Sequence, residues 1–124
     1  SHILAQVNDG ADTIYAVRDR FGSPTFAPDF ARCFEALITS SDYGTYHMVS
    51  PGQCSRYDVA RAILDILESD IVLVPTSSTY FAAQFYAPRP TSEVMRNYVM
   101  DLTGRGGQMR PWREALSDYL RDWK

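Results

Sequence analysis

The sequence predicts a small mixed α/β domain of about three short strands and four helices, and three observations carry that reading. Runs of strand formers at residues 14–17, 45–50 and 71–74 alternate with stretches whose apolar residues recur at helical spacing. Turn chemistry separates them, Gly22-Ser23-Pro24 and Pro51-Gly52 above all. The 124 residues, 45% hydrophobic and 22% charged, also suffice for one core, since a chain of this size buries roughly two-thirds of the surface its unfolded form exposes.

The elements follow in order. The first nine residues read as the end of a helix, a remnant over 1–9, with Ile3, Leu4 and Val7 on one side and Asn8-Asp9-Gly10 as its stop. Residues 14–17 form the first strand and lead into a stiff turn. Gly22 there admits backbone angles and a close approach that a side chain would block, while Pro24 fixes its own φ and pushes Ser23 into an extended conformation. Pro28 suits a first helical position, Asp29 complements the positive end of the helix dipole, and Phe30, Phe34, Leu37 and Ile38 continue the helix to about Thr39. Ser41-Asp42-Tyr43-Gly44 is a turn, and 45–50 is a second strand in which His47 is structural.

Ser55 caps the next helix with Asp58 in the reciprocal position of a capping box, although Asp is shorter than the usual Glu. Val59, Ala60, Ile63, Leu64, Ile66 and Leu67 give that helix an apolar face as far as about Glu68, and 71–74 is a short buried strand. Residues 75–90 are a long irregular loop carrying Tyr80, Phe81, Phe85 and Tyr86. Val94, Met95, Tyr98, Val99 and Leu102 predict a short helix closed by Gly104, before an Arg105-Gly106-Gly107 loop. Pro111 opens the last helix, whose stripe of Trp112, Ala115, Leu116, Tyr119, Leu120 and Trp123 makes both tryptophans packing residues.

Composition excludes several function classes. With a net charge of −3, the eleven arginines are scattered among fifteen carboxylates, so there is no basic stripe for a nucleic acid. No apolar run approaches the ~20 residues of a membrane span, and no signal-peptide pattern is present. Cys33 and Cys54 are too few for a disulfide scaffold, and with His2 and His47 they make no metal spacing. Reduced thiols in a cytoplasmic protein are the expectation.

Several motifs occur in one order along nearly the whole chain. They are Phe21-Gly22-Ser23-Pro24-Thr25 followed by Asp29-Phe30-Ala31, Tyr46-His47 with Gly52, Ser55-Arg56-Tyr57-Asp58-Val59-Ala60, Val74-Pro75-Thr76, Ala87-Pro88-Arg89-Pro90, and Arg110-Pro111-Trp112. In that order they resemble the dTDP-4-dehydrorhamnose reductase family, extended short-chain dehydrogenases that make the last reduction in dTDP-L-rhamnose synthesis. The chain departs from the family after Arg89-Pro90, where Glu93, Met95, Val99 and Met100 replace its usual Ser, Leu and Lys-Leu pair.

The resemblance implies an NADPH- or NADH-dependent parent enzyme of Rossmann fold that reduces the C4 ketone of dTDP-6-deoxy-L-lyxo-4-hexulose. Such an enzyme needs a GxxGxxG phosphate turn and a Tyr-x-x-x-Lys pair. Here the one lysine, Lys124, follows Leu120 at the tyrosine spacing, and no three of the seven glycines fall at i, i+3 and i+6. Residues 1–124 are therefore expected to be a single substrate-binding domain, a carboxy-terminal fragment without catalytic residues or cofactor contacts, inactive alone and prone to self-association through uncovered apolar surface.

The residues expected to bind substrate are Arg89, held between two prolines with its fork toward a diphosphate, Arg20 at the strand end, and Gly22, Ser23, Pro24 and Thr25 of the turn. Tyr80, Phe81, Phe85 and Tyr86 either stack on a thymine ring or pack internally. Two alternatives stay open: a non-catalytic regulatory or interaction subunit of the same extended family, and an epimerase or dehydratase acting on another nucleotide sugar.

Overall fold

The computed structural model describes residues 2–84, 87–105, 107 and 109–123. The chain forms α1 (His2–Asn8), β1 (Thr13–Val17), β2 (Phe21–Gly22), α2 (Ala27–Ile38), β3 (Cys54–Ser55), α3 (Arg56–Ile66), β4 (Val72–Thr76), a 3-10 helix (Ser78–Gln84), α4 (Tyr98–Leu102) and α5 (Trp112–Arg121). A mixed α/β fold is thus present, with more and shorter elements than the sequence predicts. These elements fall into two compact units, Ser1–Phe21 with Cys54–Glu93 and Gly22–Gln53 with Val94–Lys124.

In the first unit β1 and β4 pair in parallel, from Thr13 opposite Val72 to Val17 opposite Thr76. Parallel strands need a long crossover, and its helix α3 packs on both strands. Ile14 and Ala16 are buried while Tyr15 between them is half exposed, the alternation of a sheet covered mainly on one face. For the same reason β4 is not the buried strand its Val-Leu-Val run predicts: it has one strand neighbour, and Val72 is 57% exposed. Tyr15 stacks instead on Tyr80, with Phe81 edge-on to Tyr80.

The capping box of α3 closes despite its short acid. Ser55 Oγ accepts from the Asp58 amide at 3.1 Å and an Asp58 carboxylate oxygen accepts from the Ser55 amide at 2.8 Å. Within 75–90, read above as irregular, β4 reaches Thr76 and the 3-10 helix follows, because the Asp19 carboxylate accepts from the Ser78 amide (2.8 Å) and hydroxyl (3.1 Å). This is an N-terminal cap supplied from 59 residues away, which local pattern cannot reveal. Phe85 and Tyr86 lie outside the described residues.

In the second unit two expectations are corrected. Residues 45–50 form no strand. Their Val49 is paired not with a strand but with a side chain: its amide donates to Asn97 Oδ1 (2.8 Å) and its carbonyl accepts from Asn97 Nδ2 (2.7 Å). The short helix foreseen from Val94 starts only at Tyr98, and Gly104 (φ +74°) closes it. Helical spacing also leaves the facing of α2 open. Asp29 and Cys33 are its buried residues, and Phe30, Phe34 and Ile38, three of the apolar residues whose spacing predicts this helix, are 41%, 46% and 62% exposed. Both sides of this helix carry apolar residues, so periodicity alone does not choose between them.

Cys33 packs with Met100 and Met109 in a small core that Tyr46 and Met48 flank. Burial raises the Cys33 thiol pKa, against a smaller opposing effect of the Arg105 charge. Ala115 and Leu120 bury one side of α5. Gly52 (φ +95°) lets the Trp112 indole close in, since a Cβ there would lie 3.1 Å from the ring.

Candidate substrate-binding site

Arg20 and Arg89 belong to the first unit. Phe21 and Ser92 form a parallel bridge, the Phe21 amide donates to the Thr91 carbonyl at 3.0 Å, and the Glu93 amide donates to the Phe21 carbonyl at 2.8 Å. This zip follows from chemistry in the sequence: Pro88 and Pro90 hold the chain extended, and Thr91 is the first residue past them with an amide and carbonyl free for pairing. Arg20 Nη1 donates to Thr91 Oγ1 at 3.0 Å, so one predicted arginine is anchored two residues beyond the other. Arg89 is exposed between its prolines. The run therefore offers guanidinium groups, whose planar forks suit phosphate oxygens, on a stiff backbone.

Gly22, Ser23, Pro24 and Thr25 lead the second unit, directly ahead of α2. Gly22 is not in the left-handed region, and a Cβ placed on it would meet nothing within 4 Å. The conformational argument for this glycine is therefore replaced by a steric one: the space beside its backbone is open. The two hydroxyls have different duties. Thr25 Oγ1 donates to the Ser23 carbonyl (3.2 Å) and accepts from the Ser50 amide (3.3 Å), while Ser23 Oγ accepts from the Met95 amide (3.4 Å). The Ser50 hydroxyl is wholly buried and finds no partner among the described residues.

Asp29, expected only as a helix-start residue, proves to be the charged centre of this unit. It is 0% exposed in the first turn of α2, where a carboxylate suits the helix dipole. Arg110 Nε donates to both its oxygens (3.2 and 3.1 Å) and Nη2 to Oδ1 (3.0 Å), with Arg32 as a further donor. Arg110 Nη1 then reaches Asp118 on α5, which also meets Arg121 at 3.1 Å. A buried carboxylate demands a cation. The sequence marks Asp29 only as a helix-start residue, and it does not say which of eleven arginines answers the buried charge.

Hydrogen bonds to Asp29 and then to Asp118 raise the Arg110 pKa, so this group stays charged at every working pH. The Arg110 hydrogen bond holds the Asp118 carboxyl below its usual value. A depressed folded-state pKa stabilises the fold above the unfolded-state pKa of about 3.9, and that stabilisation is lost as pH falls through the folded value. Urea unfolding at pH 7 should show Asp118→Asn less stable than wild type, and the gap should close in more acid solution. A gap that persists unchanged at pH 2 would show that the pair does not govern the acid limb.

Among the described residues the glycines of positive φ, Gly10, Gly44, Gly52 and Gly104, serve separate turns, and no three of the seven glycines in the sequence have the phosphate-turn spacing. No helix among the described residues is long and apolar enough to cross a membrane.

Comparison with known proteins places these features in a family. Residues 2–124 match the RmlD substrate binding domain. The chain is 33% identical over 112 residues to the dTDP-4-dehydrorhamnose reductase of Mycolicibacterium smegmatis, covering 89% of this chain and 33% of that protein. The crystal structure of dTDP-4-dehydrorhamnose reductase from Yersinia enterocolitica matches with a TM-score of 0.86 and 33% identity, covering 95% of this chain and 40% of that one. The Bacillus anthracis reductase, determined in complex with NADP, matches at 0.83 and 28% identity, covering 98% of this chain and 42% of the other. The chain spans about a third of the length of the curated relatives it matches.

Proposed function

Because the chain belongs to the RmlD substrate binding domain family, we propose that it is the substrate-binding portion of an NAD(P)H-dependent dTDP-4-dehydrorhamnose reductase. The substrate is then dTDP-6-deoxy-L-lyxo-4-hexulose and the product dTDP-L-rhamnose. The observation that carries this reading is the extent of the match, which takes in residues 2–124 while covering only about 40% of a solved reductase of that name. On this reading residues 1–124 act as one substrate-binding domain, and the remainder of the enzyme holds the nicotinamide cofactor and the proton donor.

The nicotinamide cofactor, when bound there, supplies the hydride that reduces the C4 ketone. The residues of this chain bind and orient. Arg89 and Arg20 meet the diphosphate, and the Gly22–Thr25 turn offers the sugar a hydroxyl beside open backbone. Interactions with the unreacting nucleotide end restrain the ketone against its reaction partners, where correct placement is worth several powers of ten in rate.

The test uses the full-length protein and the isolated chain side by side. Full-length protein should oxidise NADPH or NADH on addition of the dTDP-4-keto sugar, whereas the isolated chain should show neither turnover nor cofactor binding. Turnover by the isolated chain, or failure of full-length protein to bind dTDP in calorimetry, would overturn the proposal.

A further inference from the structure

Three separate segments of the second unit are joined in one closed hydrogen-bond circuit. The Met95 amide donates to Ser23 Oγ, and Asn97, two residues further on, holds both the amide and the carbonyl of Val49. The next amide, that of Ser50, donates to Thr25 Oγ1, which in turn donates to the Ser23 carbonyl. The path therefore returns to the residue from which it began.

Asn97 occupies the position before α4 where asparagine usually caps the helix, yet it makes no side-chain cap bond there. It is 6% exposed, and its amide gives Val49 the acceptor and donor that a neighbouring strand would have supplied. Leaving helix amides uncapped costs stability, so the side chain is committed to the placement of residues 49 and 50. The hydroxyls also divide the work. Thr25 spends its single proton on the Ser23 carbonyl, whereas Ser23 Oγ only accepts within the circuit, and no acceptor among the described residues takes its proton.

We propose that Asn97 is a positioning residue for ligand binding: through Val49, Ser50 and the Thr25 latch it sets the height of Ser23, whose hydroxyl donates to the bound nucleotide sugar. This inference rests on the reductase reading. Thr25 thereby changes from a ligand contact to the latch of the turn, and Asn97, 72 residues beyond it, becomes part of the site without touching the ligand.

Calorimetric titration of full-length protein with dTDP-L-rhamnose tests it. Ser23→Ala, the isosteric Thr25→Val and the isosteric Asn97→Asp should each weaken binding about fivefold to tenfold, the worth of about one hydrogen bond. Thr25→Ser, which keeps the latch, should restore wild-type affinity. The decisive measurement is the double variant. If Asn97 acts through Ser23, then Asn97→Asp combined with Ser23→Ala binds no worse than Ser23→Ala alone, whereas a general loss of stability would multiply the two effects. Multiplying losses, or wild-type affinity in folded Thr25→Val, would overturn the circuit alone. Should Asn97→Asp fail to fold, Thr25→Val paired with Ser23→Ala reads the same coupling at an exposed position. Wild-type protein that does not bind dTDP-L-rhamnose would overturn the reductase reading, and the circuit's role with it.

Discussion

Replacing Asp29 with alanine is expected to cost about 3 kcal/mol of folding stability, the lower end of the range for breaking a buried ion pair. The carboxylate is wholly buried and accepts from Arg110 and Arg32, so its loss strips two guanidinium groups of their shared partner. The cost stays at the lower end because Arg110 keeps Asp118 and is one-third exposed. Asp29→Asn retains shape and an acceptor and should recover part of the loss. Against a total stability typically of about 5–15 kcal/mol, the alanine variant should unfold at a visibly lower urea concentration by circular dichroism. Coincident unfolding curves for wild type and Asp29→Ala would mean that the clasp does not hold in solution.

The other large effect is on ligand affinity. In full-length protein Arg89→Ala removes a charge-assisted contact to the diphosphate, typically worth about 1.5–3 kcal/mol, or roughly tenfold to hundredfold in dTDP affinity. Arg89→Lys should recover only part of it, because an ammonium keeps the charge but not the planar two-point fork. Thr91, which anchors Arg20 beside this run, stays intact in both variants, so the backbone zip is preserved. Equal dTDP affinity across wild type, lysine and alanine variants would return Arg89 to the solvated surface and leave the phosphate partner to be found elsewhere.

What could be read from the sequence was whatever local chemistry decides. The α3 capping box is visible in Ser55 and Asp58, and the parallel strands are visible in their β-branched runs. The turn at 22–25 is likewise marked by its glycine and proline. What escaped depends on partners distant in the chain. Residues 45–50 have the composition of a strand, but their partner is a side chain 48 residues away, so the extended segment never becomes part of a sheet. The outward turn of Phe30 and Phe34 escaped because the buried residues of α2 are Asp29 and Cys33, and spacing alone gives no sign that a charged residue lies on the inward side. Of the site itself, residue types were legible, but the division of duty between Ser23 and Thr25 lies in hydrogen-bond directions that spacing does not encode.

The chain crosses between its two compact units three times, after Phe21, after Gln53 and after Glu93. Each unit is consequently assembled from two pieces of chain, and no single cut can release either one intact. A protease nick between residues 53 and 54 would leave both halves holding an incomplete share of both units, so the nicked halves should part only under denaturing conditions. Dissection of this protein into minimal modules therefore calls for rejoining segments, residues 22–53 to 94–124 for example, in place of simple truncation.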